Sequence, residues 1–199
     1  MPSNSTSAIA LDPNDPDTVY AGTGALLDPL GINFKAVGLY KSIDGGDHWG
    51  ANPPTFDDGQ ALGGNVFGPS AGPAGCAATR TGFLRTTCGR GIYRIVVLRG
   101  ASNVVLVATN NGLFRSVDGG ANFGANSPDF DDGRAVLPGS VTDLDLDTAL
   151  DSTVYASVAG VGIFRSVDGG ATFTRNLLTR PGGPAAGTFS TIAFAQSTK

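Results

Sequence analysis

The chain has 199 residues, a formal net charge of −4 at pH 7 and only 15% charged residues, against about a quarter in ordinary globular domains. All 17 acidic residues are aspartate, because the sequence contains no glutamate. Without glutamate and with little lysine, the composition argues against a helical bundle, a coiled coil and any glutamate-based mechanism. The sequence pI of about 4.7 argues against nucleic acid as a partner. No apolar run reaches the length of about 18 residues that a membrane span needs.

The first predicted unit contains four strands. Apolar runs at 8–11 (strand A) and 18–23 (strand B) flank the breaker cluster 12–17, whose sequence is Asp-Pro-Asn-Asp-Pro-Asp. Strand C then enters an Asp-Gly-Gly turn within 38–49, and the aromatic residue Trp49 opens strand D. Aspartate accepts hydrogen bonds from the turn backbone and glycine supplies positive φ, so this segment predicts a hairpin.

A Gly- and Pro-rich insertion follows at about 61–91 and carries both cysteines, Cys76 and Cys88. The 11 residues between them make a feasible disulfide loop. We expect a bridge in an oxidising compartment, with a pair of free thiols as the alternative.

The order of strands in the first unit recurs twice more along the chain. The serines that open the three Asp-Gly-Gly hairpins, Ser42, Ser116 and Ser166, are 74 and 50 residues apart. The second spacing matches one propeller blade of about 40–50 residues, and the first matches a blade plus an insertion. A last apolar run at 191–195 predicts strand A of a fourth unit. The strands and hairpins of units two and three are predicted at 95–98, 104–109 and 112–123, then at 144–147, 152–157 and 162–173.

The hairpin pattern Ser-x-Asp-x-Gly-x-x-Trp/Phe resembles the Asp-box, or BNR, repeat of β-propellers. Sialidases, xyloglucanase-type glycoside hydrolases, sortilin-type receptors and photosystem assembly factors carry such blades. The resemblance implies an all-β fold of blades with four antiparallel strands each. The matching residues are Ser42, Asp44, Gly46 and Trp49, then Ser116, Asp118, Gly120 and Phe123, then Ser166, Asp168, Gly170 and Phe173.

We therefore expect one propeller domain over 1–199 that is incomplete or part of a larger ring. Propellers typically have four to eight blades, and an open ring exposes unpaired strand edges. The missing blades come either from the same parent chain or from a second copy. The predicted boundaries are blade 1 at about 6–60, the insertion at about 61–91, blade 2 at about 92–140, blade 3 at about 141–180, and the start of blade 4 at about 188–199.

Two long segments connect a strand D to the next strand A, one within 51–91 and one at 124–140. Their amino-acid sequences are similar to each other. One interpretation is a pair of acidic, aromatic-tipped loops that bind a cation or a hydroxyl-rich ligand. The alternative is that each phenylalanine anchors its loop and each Asp-Gly pair forms a turn. Neither segment has the calcium-loop spacing. The candidate ligand-binding residues are Phe56, Asp57, Asp58, Phe130, Asp131, Asp132 and Arg134.

Arg94 and Asp143 occupy aligned positions on strands A of neighbouring blades. They are candidates to bind an anionic or sugar ligand, and the alternative is an interblade salt bridge, since buried charges usually pair. Residues 93–96 resemble the sialidase Phe/Tyr-Arg-Ile-Pro motif, with Val96 at the position of its proline. A sialidase also needs a glutamate beside its tyrosine nucleophile, and none is present.

Three aspartates at alternate positions, Asp143, Asp145 and Asp147, should share one strand face. Such carboxylates serve glycoside hydrolysis in some enzymes, and a merely polar strand face is the alternative. His48, the single histidine, lies in the first Asp-Gly-Gly turn without a cluster of metal-ligand residues in its sequence neighbourhood.

These features predict a non-catalytic Asp-box propeller segment that serves as a binding or scaffold module for carbohydrate or protein. We expect no catalytic residue, no metal and no cofactor in it, and no nucleic-acid partner. The low lysine content and the cysteine pair predict an extracellular or periplasmic location, although the chain has no signal peptide. The alternative is a fragment of a xyloglucanase-like or sialidase-like glycoside hydrolase with its catalytic residues elsewhere.

Overall fold

A computed structural model describes residues 6–24, 38–50, 91–124, 134–147 and 149–175. Ten strands within these ranges form three antiparallel sheets. Each sheet is called a blade below and contains strands that are consecutive in the chain. Blade 1 contains β1 (Thr6–Asp12), β2 (Asp15–Thr23) and β3 (Leu39–Ser42); blade 2 contains β4 (Ile92–Leu98), β5 (Ala101–Thr109) and β6 (Gly112–Ser116); blade 3 contains β7 (Val141–Leu146), β8 (Val154–Val158), β9 (Gly162–Ser166) and β10 (Thr174–Arg175).

The sheets confirm the predicted all-β architecture of propeller blades. Strands A, B and C form in all three units because β-branched and aromatic residues alternate with small ones between turn clusters. Only the beginning of strand D lies within the described residues. In blade 3 this part is the two-residue β10, and in blades 1 and 2 it is a single bridge, from Lys41 to Gly50 and from Arg115 to Gly124.

The pairing of the first two strands has the same irregularity in every blade. One residue of strand A is left out of register just before Ala8, Arg94 and Asp143. These three residues are therefore structurally equivalent, as the sequence alignment predicts. Such a bulge re-aims the side chains that follow it. The residues opposite them on the second strands are Gly22, Ala108 and Ser157.

The core consists of two apolar layers, one between blades 1 and 2 and one between blades 2 and 3. Blade 2 contributes to both, so residues 104–108 of β5 are buried without interruption. A strand covered on both faces is expected to be apolar throughout, without the usual alternation of apolar and polar residues. The fully buried large side chains include Tyr20, Leu39, Ile92 and Phe114 in the first layer and Leu106, Leu113, Val141 and Leu144 in the second.

The structure corrects the interpretation of 124–140 as a loop that follows strand D. Gly124 N donates to Arg115 O at 3.0 Å, and further along the chain Val136 N donates to Leu113 O at 2.8 Å. Both contacts lie on the outer edge of β6. Gly124 and residues 136–137 therefore both lie beside β6, in the position of strand D. The residues between them are an insertion within strand D.

Several predictions lie outside the described residues and stay predictions. They are the Cys76–Cys88 bridge, most of the insertion at 61–91, and the fourth strand A at 191–195.

Candidate functional site

The three turns Ser42–Trp49, Ser116–Phe123 and Ser166–Phe173, called Asp turns below, have one hydrogen-bond plan. In the second, Ser116 Oγ donates to Asp118 Oδ1 at 2.7 Å and accepts Gly120 N at 2.8 Å. Asp118 Oδ1 also accepts the backbone N–H of Asn122 at 2.9 Å. The other two turns repeat these distances to within 0.1 Å.

The second carboxylate oxygen of each Asp turn is held by the side chain four residues later. His48 Nδ1 lies 2.6 Å from Asp44 Oδ2, Asn122 Nδ2 donates to Asp118 Oδ2 at 2.8 Å, and Thr172 Oγ1 donates to Asp168 Oδ2 at 2.5 Å. His48 thus occupies the place of an ordinary turn donor. Its role in the structure is to close the first Asp turn.

Hydrogen bonding sets the charge state of these carboxylates. Burial raises the pKa of Asp118 and of Asp168, but the bonds donated by the turn outweigh burial and hold both pKa values below the ordinary one. The pKa of Asp44 is lowered chiefly by the backbone N–H of His48 and then by the Ser42 hydroxyl. Such carboxylates stay ionised and accept hydrogen bonds, so they are poorly suited to donate a proton.

A groove runs across the innermost strands β1, β4 and β7 and has a volume of about 280 Å³. We call it the inner groove. Most of the residues that line it are apolar, although polar atoms make up more of its surface than apolar atoms do. Two of its side chains are unusually open to solvent, Ile9 at 69% and Leu11 at 62% exposed. The residues that line it include Ile9, Leu11, Arg94, Val96, Arg99 and Leu146.

Arg94, which lines the inner groove, forms an ion pair with Asp143. Arg94 Nε lies 3.7 Å from Asp143 Oδ1, across the boundary between blades 2 and 3. The interblade salt bridge, one of the two expectations for this pair, is therefore present. The Arg94 side chain remains 55% exposed while that of Asp143 is 17% exposed. Because more than half of the Arg94 side chain is exposed, its guanidinium remains accessible from the groove. An ion pair this open contributes little to stability.

The other inner-strand aspartates are engaged by the backbone. Asp145 Oδ1 accepts Leu146 N at 3.0 Å, and its pKa is raised, chiefly by burial. Asp147 Oδ1 accepts the N–H groups of Ala149 at 2.9 Å and Leu150 at 3.2 Å, so it closes the turn to β8. The three aspartates predicted to share a strand face thus have different roles: Asp143 forms an ion pair, Asp145 lies at a half-buried strand position, and Asp147 closes a turn.

The remaining sequence candidates are only partly described. Arg134 is exposed beside the edge of blade 2. Phe56, Asp57, Asp58, Phe130, Asp131 and Asp132 lie outside the described ranges. The sequence reasoning missed Ile9 and Leu11, although two large apolar residues on the outward positions of an innermost strand were a readable signal. Among the described residues, no group of three His, Cys, Asp or Glu side chains could hold a metal ion. The same ranges contain no helix of the length and apolarity that a bilayer crossing requires.

No protein-family model and no curated protein sequence matches the chain. Solved structures do resemble it. An ancestral GH74 enzyme aligns over 86% of this chain and 18% of its own, with 18% identity and a TM-score of 0.51. The GH74 xyloglucanase from Xanthomonas campestris aligns over 88% of this chain and 24% of its own, with 20% identity and a TM-score of 0.48. YCF48 bound to D1 peptide aligns over 87% of this chain and 41% of its own, with 17% identity and a TM-score of 0.43.

The chain therefore spans less than half the length of these structural neighbours. At such identities the likeness shows the β-propeller fold alone.

Proposed function

We propose that the chain is a non-catalytic propeller segment of the Asp-box kind that binds a protein ligand in the inner groove. The observation that carries the proposal is the pairing of an exposed apolar wall, Ile9 and Leu11, with the accessible guanidinium of Arg94. Exposed apolar side chains beside the guanidinium of Arg94, with Arg99 also lining the groove, suit an extended peptide that has an apolar side chain beside a carboxylate. No aromatic ring lines the described part of the groove, and this supports a protein ligand over carbohydrate.

The state of the described carboxylates supports a binding role over catalysis. Glycoside hydrolysis needs one carboxyl group as a proton donor and a second one facing it across the bond to be cleaved. Asp143 is paired with Arg94, and Asp145 accepts a backbone N–H from its own strand. The carboxylates of the Asp turns are held ionised within their turns.

The binding role is tested with an array of acidic and apolar peptides and an array of glycans. The double variant Ile9→Ser, Leu11→Ser should lose peptide binding without loss of stability, because both side chains are already exposed. Val167→Ser with Leu150→Ser is the matched control, since these side chains are 60% and 53% exposed outside the groove. Equal binding by both double variants, or binding to glycans alone, would contradict the proposal.

Catalysis is tested directly with xyloglucan and with sialosides. We expect no turnover of either substrate by the purified chain. Turnover that disappears in Asp57→Asn or in Asp131→Asn would overturn the binding role and identify a glycoside hydrolase fragment.

We also propose an extracellular or periplasmic location for the protein. The single pair of cysteines and the low lysine content support an oxidising compartment. Thiol titration of the unfolded natural protein should then find no free thiol, and two free thiols would contradict this location.

A further inference from the structure

The turns that join strand A to strand B lie at the same end of each blade as the Asp turns, because successive strands are antiparallel. The two kinds of turn contact each other in every blade. Gly45 N donates to Asp17 O at 2.9 Å, Gly119 N to Asn103 O at 2.8 Å, and Gly169 N to Ser152 O at 2.8 Å. We call this end the turn face; it consists of the turns at 12–17, 99–103 and 149–152 and the three Asp turns.

Hydrogen bonds also join the turn face from blade to blade. Asn14 Nδ2 donates to Leu98 O at 3.1 Å, and Gly100 N donates to Asn14 Oδ1 at 2.8 Å. Between blades 2 and 3, Arg115 Nε donates to Gly169 O at 3.0 Å. The turns of the three blades therefore form one continuous surface. A surface held in this way loses little conformational entropy when a partner binds.

Negative charge is concentrated on the turn face. Every exposed aspartate that the structure describes lies there, whereas Arg99 is the single exposed lysine or arginine of these turns. Arg94 and Arg134, which are also exposed, lie outside the turn face. The seven exposed aspartates are Asp15, Asp17, Asp44, Asp47, Asp118, Asp151 and Asp168.

Three of these carboxylates are not engaged by the turns. In the described part of the chain, the side chains of Asp17, Asp47 and Asp151 accept no hydrogen bond and form no ion pair. A cation from a partner can therefore approach them without breaking a bond that holds a turn. The Asp-turn carboxylates add to the field, because hydrogen bonds lower their pKa and keep them ionised.

Exposed apolar side chains accompany the carboxylates. Ile43 is 42% exposed, Leu150 is 53% exposed and Val167 is 60% exposed. Each of the three directly precedes an exposed aspartate of the turn face. Apolar contact and negative charge are thus offered side by side in both outer blades. Such a surface is complementary to a segment in which apolar and basic residues also adjoin.

We propose that the turn face is a docking surface for a basic, amphipathic protein segment, in which lysine or arginine adjoins apolar residues. Apolar side chains of the partner contact Ile43, Leu150 and Val167, and its cations contact the neighbouring aspartates. Charge complementarity selects this occupant, because the same carboxylates repel an acidic segment and the phosphates of nucleic acid. The surface is separate from the inner groove, for which we propose a peptide that carries a carboxylate.

The docking surface is tested by titrating the full chain into a short, labelled peptide in which lysine alternates with leucine. We expect saturable binding that weakens as salt is added, because salt screens exposed charges. A matched peptide with glutamate in place of lysine, and another with serine in place of leucine, should each bind at least about tenfold more weakly.

Two variants separate the contribution of charge from that of apolar contact. Asp17→Asn combined with Asp47→Asn and Asp151→Asn should weaken binding by about tenfold and reduce its dependence on salt. Leu150→Ser combined with Val167→Ser should weaken binding by about tenfold and leave the dependence on salt unchanged. Thermal unfolding of both variants should match that of the wild type, because the replaced side chains are exposed.

Val161→Ser and Arg134→Gln are the matched controls. Val161 is 40% exposed between β8 and β9, at the opposite end of blade 3, and Arg134 is exposed beside the edge of blade 2. Val161→Ser should leave the affinity unchanged. Arg134→Gln makes the chain more negative and should not weaken binding. A wild type that binds the basic peptide and no acidic peptide supports the turn face and contradicts only the function proposed for the inner groove.

Three results would overturn the docking surface. One is a wild type that binds the lysine peptide no more tightly than the glutamate peptide. The second is an affinity that neither turn-face variant changes, which indicates unspecific attraction to an acidic chain. The third is a loss of binding in Val161→Ser as large as that in the variant of Leu150 and Val167.

Discussion

The aspartates of the Asp turns are the residues whose roles the structure defines most fully. Each carboxylate accepts a serine hydroxyl and a backbone N–H on one oxygen and a side-chain donor on the other. The same position serves three different donors, His48, Asn122 and Thr172. The turn therefore requires a donor of short reach four residues after the aspartate, and it does not require a particular residue type.

Replacing Asp118 by alanine removes the acceptor of three hydrogen bonds in the second Asp turn. We expect Asp118→Ala to lower the free energy of unfolding by about 1–2 kcal/mol at pH 7. Urea denaturation of the wild type and the variant measures this loss. Asp151→Ala, at an exposed turn position, is the control and should change stability by less than about 0.5 kcal/mol. Equal midpoints for all three proteins would contradict the role of the carboxylate.

The cost of Asp118→Ala should depend on pH. The pKa of Asp118 is lowered in the folded state by its hydrogen bonds, against the raising effect of burial. A lowered folded-state pKa contributes stability that is present above the unfolded value of about 3.9 and is lost as the pH falls through the folded value. The difference in unfolding free energy between wild type and variant should therefore shrink as the pH is lowered from 7 to below 3. A difference that grows toward low pH would show that the pKa is raised.

At the scale of strands, close packing between blades decides which residues fit on the second strand. A Cβ built on Gly22 of β2 would lie 2.5 Å from Ile92 Cγ2 and 2.8 Å from its Cβ. The equivalent positions in blades 2 and 3 carry Ala108 and Ser157. The first interblade layer is therefore tighter than the second at this position, because Ile92 of β4 fills the space that a side chain would need.

Gly22→Ala should destabilise the protein by about 1–3 kcal/mol, since Ile92 is fully buried and its branched Cβ cannot move aside cheaply. In an open site the same change would be neutral or stabilising through the unfolded chain. Thermal unfolding measures the effect. Gly100→Asn is the control, because that turn is open and its φ of 68° is one that asparagine tolerates. A higher melting temperature for Gly22→Ala would contradict the packing.

At the scale of the whole molecule, blade 2 packs against blade 1 on one face and against blade 3 on the other within the described part of the chain. All residues of β5 from 104 to 109 are buried, whereas the three central residues of β9 are only half-buried. Local opening of a strand requires less free energy where fewer apolar contacts must be broken.

Amide hydrogen exchange should therefore be slowest in β5 and faster in β9. We expect β5 amides to exchange at least about tenfold more slowly than those of β9, which corresponds to a difference of about 1.4 kcal/mol in opening free energy. Equal protection of the two strands would show that the three blades open as a single unit.

The sequence by itself determined the strands, the turns and the equivalence of the three blades. These features depend on local chemistry, because alternating β-branched residues, Asp-Gly turns and their serine partners act within about ten residues of each other. The alignment of Ala8, Arg94 and Asp143 also followed from the sequence, and the observed bulges confirm it.

Only the tertiary structure decided what lies between blades. The inner groove, the ion pair of Arg94 with Asp143 and the interruption of strand D by 124–140 join residues that are distant in the chain. Hydrogen bonds between blades distinguish positions that are equivalent in the sequence repeat. Lys41, Arg115 and Arg165 occupy the same place in the repeat, yet within the described residues only Lys41 and Arg115 face the Asp turn of a following blade. Neighbours across the sheet faces set burial and hydrogen bonding, and a local repeat contains no information on which neighbour is present.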